Sequence, residues 1–125
     1  MDVSINQETV NDVAKRMMHR LVSRRIGDDP SLVKLARQKH AESACRYSGR
    51  AFFREWNGLL ELPLTDLRAR LISRDSEMVR LRLSSPLLVT PGIDFSNYDF
   101  RLRIRRAARR IAARSLRKAS PVEDT

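Results

Sequence analysis

The chain has little with which to do covalent or metal chemistry. One cysteine, Cys45, stands in 125 residues, so no internal disulfide forms, and a reducing compartment is expected. The two histidines, His19 and His40, fall on separate expected helices, and no Cys pair or His-acid spacing builds a metal site. The four glycines, Gly27, Gly49, Gly58 and Gly92, are isolated, which excludes a glycine-rich phosphate loop. No apolar run approaches the roughly 20 residues that cross a bilayer, and mean hydropathy is −0.45. The opening MDVSINQETVND is acidic and polar, without the basic and apolar regions of a secretory signal. These gaps predict a cytoplasmic protein that is not an enzyme, holds no cofactor or metal and avoids membranes. Cys45 reads as a buried structural thiol, His40 as exposed and His19 as bordering the core. Asp28 and Asp29 read as a helix cap.

What the chain has in excess is arginine, 21 against 4 lysines, for a net charge of +10. A GC-rich coding sequence accounts for the ratio but not for the distribution. Residues 1–62 carry 11 basic and 8 acidic groups, and residues 63–99 carry 5 of each. The stretch 100–119, FRLRIRRAARRIAARSLRKA, holds eight Arg, one Lys and no acid. Read as a helix it is about 30 Å long. Phe100, Ile104, Ala107, Ala108, Ile111 and Ser115 share one arc of its wheel, and every Arg falls outside that arc. Leu102, Ala113 and Leu116 form a small apolar strip on the far side.

The rest of the chain predicts an all-α, compact single-domain bundle of five or six helices, with 1–99 as a helical core. Residues 100–119 form a long basic C-terminal helix packed on the same domain, and 120–125 a frayed tail. A first helix runs from about Gln7 to Ile26, with Ser4 and Gln7 at capping-box spacing and Gly27 placed to end it. Asp29 and Pro30 start a second helix that lasts until Gly49. AFFREWNGLLEL supplies Phe52, Phe53, Trp56, Leu59 and Leu60 at helical spacing, the expected centre of the core; an aromatic cluster can also stack bases. Leu64, Leu67, Leu71 and Ile72 mark a short helix after Pro63. Residues 77–84 suit helix or strand, and helix is preferred because no pairing strand is nearby. PLLVTPGIDF reads as an apolar loop, and Ser96 with Asp99 caps the basic helix.

Two short helices around residues 73–76 have the layout of a helix-turn-helix, with Arg80 and Arg82 placed to reach bases. The turn lacks glycine, and an ordinary helical hairpin is the plainer reading. The cadence Trp56, Leu59, Leu60, Pro63, Leu67, Leu71, Met78, Leu81, Arg82, Ser85, Pro86 and Leu87 resembles small helical proteins of bacteria. That resemblance implies a bacterial, mostly α-helical chain and no activity or site.

The leading functional expectation is a regulatory or mobile-element protein that binds nucleic acid, DNA ahead of RNA. Its phosphate contacts would come from Arg101, Arg103, Arg105, Arg106, Arg109, Arg110, Arg114, Arg117 and Lys118, with Arg80 and Arg82 as further candidates. The alternative is a protein-interaction module, such as an antitoxin, inhibitor or adaptor, whose basic helix covers an acidic partner. The Leu102, Ala113 and Leu116 strip favours that alternative.

Overall fold

A computed structural model describes residues 7–47, 49–93, 95 and 97–119, with side chains as far as 116. Seven α-helices and two short 3-10 turns occur among them, and no strand. In order these are α1 (Gln7–Asp28), α2 (Ser31–Glu42), α3 (Ala44–Tyr47), α4 (Ala51–Leu60), α5 (Leu64–Leu71) and α6 (Ser76–Leu81). The 3-10 turns Arg82–Ser84 and Pro86–Val89 follow, and then α7 (Tyr98–Ala119). One helix more than expected arises because residues 31–49 break at Ser43, whose hydroxyl donates to the His40 carbonyl. Residues 77–84 are helical because Met78 and Leu81 point inward three residues apart. Leu83, which a strand would have turned inward, is 58% exposed.

Local chemistry sets the boundaries. Gly27 does not end α1, which runs on to Asp28, and the Asp29 amide continues the helical bonding to the Arg25 carbonyl at 2.8 Å. Asp29 then accepts bonds from the Ser31 amide and hydroxyl, which starts α2. The amide of Phe100 donates to Asn97 Oδ1 at 2.9 Å, so Asn97 caps α7. The Ser4 and Ser96 caps and the frayed tail expected from the sequence lie outside the described residues. Gly92 has φ +89°, a conformation that residues with a side chain rarely adopt, so the 90–93 turn needs glycine there.

The helix on which the others converge is α1, packed on α7 along one side and α5 along another, with α2 and both 3-10 turns also against it. Its buried residues, Val10, Ala14, His19, Val22, Ser23 and Ile26, point in several directions around the axis. Helix α4, the expected centre, buries one broad face: Phe53, Trp56, Leu59 and Leu60 are inside while Arg54, Asn57 and Gly58 are outside. Trp56 is fully covered, and its Nε1 donates to the Leu81 carbonyl at 3.0 Å, tying α4 to α6.

Three side chains depart from expectation. Cys45 is exposed on the short α3, and so is not a core thiol. His40 is buried, its ring stacked on Phe53 with centroids 4.1 Å apart and its Nε2 2.9 Å from the Phe53 carbonyl. His19 is wholly buried rather than at the border of the core. Its Nδ1 sits 2.7 Å from the Lys15 carbonyl, which makes Nδ1 the protonated nitrogen. Its Nε2 has no hydrogen-bond partner among the described residues.

Burial pushes the His19 pKa down from 6.5 to about 4; the Lys15 carbonyl opposes the shift, and the charges of Arg82 and Lys15 add to it. Between these values the unfolded chain binds a proton that the folded protein excludes. The His19 contribution is therefore complete above pH 6.5 and declines as pH falls toward 4. By pH 4.5 the loss amounts to about 2–3 kcal/mol. Urea unfolding at pH 7 and 4.5 checks this, since His19→Gln should shrink the difference by about that amount. An undiminished difference in the variant contradicts it.

Candidate nucleic-acid interface

Helix α7 spans 22 residues, about 33 Å at 1.5 Å per residue. It lies antiparallel to α1. Phe100 shares a cavity wall with Leu21 and Arg24, and Leu102 and Arg105 share another with Ala14 and Met18. The seam on α1 consists of Ile104, Ala108 and Ala112, all buried. This face is turned by about 50° from the expected arc. Ile111 is 38% exposed and Ser115 is exposed, while Ala112 is wholly covered. The reason is steric: small residues at 108 and 112 let the backbones approach closely, and the bulkier Ile111 is left at the edge.

The turn of the helix changes both flanks. Arg105, expected outside the docked arc, is half-buried. The strip of Leu102, Ala113 and Leu116 does not form a free apolar ridge, because all three are half-buried and Leu102 lies beside Ala14 and Met18.

Arg101, Arg103, Arg106, Arg109, Arg110 and Arg114 are exposed. Helical spacing sorts the arginines into two rows. Arg103, Arg106, Arg110 and Arg114 run along the side facing away from α1, and Arg101, Arg105 and Arg109 run along one flank. The outer row is about 16 Å long. Among the described residues none of these seven makes an ion pair. Arg103 lies over the Phe100 ring, its Cζ 5.9 Å from the centroid. The side chains of Arg117 and Lys118 lie outside the described residues.

Arg80 and Arg82 belong to a different category. Arg80 is held by two carboxylates, with Nη2 2.6 Å from Glu55 and 2.9 Å from Glu77, and a second bond from Nη1 to Glu55 at 3.2 Å. Those bonds lower the Glu55 pKa and raise that of Arg80. Its charge is balanced and its donors are engaged. Arg82 is 2% exposed, and its Nη1 donates to the carbonyls of Leu71 at 3.1 Å and Ser73 at 2.7 Å. It satisfies the C-terminal end of α5, where a cation also suits the helix dipole. Burial lowers its pKa from the ordinary guanidinium value, with Arg16 adding repulsion and Asp12 opposing it. Neither residue is available to base edges. The six residues of α6 present Glu77 and the neutralised Arg80 outward, so the helix-turn-helix reading gives way to the plain hairpin.

Folding also assembles a basic cluster that composition alone does not reveal. Arg16 donates through Nε to the Ile72 carbonyl at 3.3 Å. Partial burial and the charges of Arg74 and Arg20 lower its pKa. The spacing of Arg16, Arg20 and Arg24 along α1 was the available signal. Arg74 joins only through the packing of α5 on α1. Among the described residues no group of three or more His, Cys, Asp or Glu side chains could hold a metal, and no helix is long and apolar enough to cross a membrane.

Comparison with protein families, curated proteins and solved structures finds no match.

The two displaced candidates separate by measurement. Arg82→Met keeps the stem and leaves two carbonyls without a donor, which should cost about 2 kcal/mol in urea unfolding. Arg80→Ala, at an exposed pair, should leave the unfolding midpoint nearly unchanged. A large loss from Arg80→Ala with none from Arg82→Met would reverse these assignments.

Proposed function

We propose that the protein is a non-enzymatic nucleic-acid-binding protein that grips phosphates with the arginine rows of α7, with DNA preferred to RNA and a regulatory or mobile-element role in a bacterium. One observation carries this reading: seven arginines on one helix, six of them exposed, with no carboxylate paired to any of them among the described residues. Elsewhere many arginines have a structural task. Arg37 reaches the Leu60 carbonyl and Glu61, Arg25 reaches the Gly92 carbonyl, Arg68 reaches Ser23, and Arg80 and Arg82 are engaged as described.

Number and geometry agree with a polyanion. A duplex carries one phosphate charge per about 1.7 Å, so a stretch as long as the outer row offers about ten phosphates. Guanidinium groups suit them, since each presents a planar fork of donors that stays charged at any physiological pH. Contacts of this kind fix affinity and orientation and carry no sequence information. The alternative, an acidic protein partner, loses the apolar strip on which it leaned, because Leu102, Ala113 and Leu116 are half-buried.

The test is the salt dependence of binding to a random-sequence duplex. Six neutralised phosphates give a log-log slope near −5, and affinity should fall about a thousandfold between 50 and 200 mM salt. Changing Arg103, Arg106, Arg110 and Arg114 together to Ala should flatten the slope by about 3–4 and weaken binding to all sequences alike. A slope unchanged by the four substitutions, or absent binding at low salt, overturns the reading.

A further inference from the structure

A cavity of about 220 Å³ opens where the C-terminal half of α1 meets the start of α7. Leu21, Ile93, Phe95 and Phe100 wall it. The rings of Phe95 and Phe100 lie 5.9 Å apart and within 16° of parallel, a stepped aromatic surface. Arg24, Arg25 and Asp28 form its polar part. Arg25 is occupied in bracing the loop through the Gly92 carbonyl. Arg24 is exposed and makes no ion pair among the described residues.

Asp28 is the telling residue. It is the last residue of α1, the end at which the helix dipole disfavours an acid. The capping role expected of the Asp28-Asp29 pair is filled by Asp29, which holds Ser31. Asp28 has no ion pair among the described residues either, so a carboxylate acceptor stands at an apolar pocket with no partner of its own.

The chemistry narrows the occupant. A bare phosphate is repelled by Asp28 and finds too few donors along four apolar walls. A purely apolar side chain leaves the acceptor and Arg24 unused. The volume is below that of drug-sized pockets, about 300 Å³ and upward, so one flat ring system is the right scale. A nucleobase bearing an amino group meets these demands: one face lies against the half-buried Phe100 ring at the mouth of the cavity, its N–H edge donates to Asp28, and its phosphate rests on Arg24. The pocket also adjoins the beginning of the arginine rows, because Arg103 lies over the Phe100 ring.

We propose that this pocket receives one unpaired, amine-bearing nucleobase of a nucleic acid held along α7. The inference rests on the nucleic-acid reading above and specifies its ligand: a strand with an unstacked base, at a bulge, junction or single-stranded segment. A continuous duplex cannot fill the pocket without extruding a base, which costs a few kcal/mol.

Fluorescence anisotropy with the full chain and two labelled DNA probes tests this, one a plain duplex of about 20 base pairs and the other the same duplex with one bulged cytosine. The bulged probe should bind about tenfold tighter, in the range measured for stacking one base on an aromatic ring. Phe100→Leu keeps the apolar contact with Phe95 and removes the ring; it should erase the preference and leave duplex affinity within about twofold. Should that variant fold poorly, Asp28→Asn, at an exposed position, reads the same site by reducing the preference for a bulged cytosine over a bulged thymine. Equal affinity of the unmodified protein for both probes overturns the pocket assignment while leaving the phosphate reading standing. A preference that survives both substitutions also overturns it. Failure of both probes to bind at low salt overturns both readings.

Discussion

The basic surface depends on the seam of Ile104, Ala108 and Ala112 against α1. Helix α7 has an acid only in its first turn, at Asp99. Six pairs among its seven described arginines are three or four residues apart, and like charges at those spacings cost about 0.2–0.5 kcal/mol each, or roughly 2 kcal/mol together. Burial of one Ile and two Ala contributes on the order of 4 kcal/mol. Burial along the seam therefore offsets the repulsion among the arginines. Placing small residues at 108 and 112 brings α7 close to α1 and sets its rotation, which aims one arginine row outward and lays the other along the flank.

A helix charged so heavily would gain from a counter-charge. On the proposed reading, a polyanion along the outer row would remove the self-repulsion and leave the seam intact, so that binding and helix stability would reinforce each other. The remainder of the bundle supports this arrangement. Helix α1 is buried on two sides and cannot rotate, α5 closes its other flank, and Arg82 ties the end of α5 to the turn after α6. Arg25 holds the Gly92 carbonyl, and Phe100 lies beside Leu21 and Arg24 of α1, which sets the start of α7 and its pocket against α1.

Much of the fold was legible because helical periodicity leaves a clear mark. The all-helical class and most element positions follow from spacings such as Leu64, Leu67 and Leu71. Rotation about a helix axis was less legible. The Ile, Ala and Phe arc on α7 was the natural prediction from hydrophobicity, but close approach rewards small residues, and Ala112 displaced Ile111 from the seam. The roles of single arginines were least legible. Arg80 and Arg82 have the same charge two residues apart, and only the folded chain brings Glu55 to one and the Leu71 carbonyl to the other. His40 and Cys45 exchanged their expected places because α2 packs on α4, which puts His40 against Phe53, while Cys45 falls after the break at Ser43 on a short helix that buries none of its residues. The aromatic segment around Trp56 was recognised as buried, but its one-sided burial could not be weighed against the all-round burial of α1 without the packing partners.

The central claim, that phosphates lie on the arginine rows of α7, is tested most directly by following arginine side-chain Nε–Hε signals by NMR while a duplex is added at low salt. The account predicts shifts at Arg103, Arg106, Arg110 and Arg114, with Arg80 and Arg82 unmoved. Shifts centred on Arg80 and the face around α6, with the α7 signals unchanged, would contradict it.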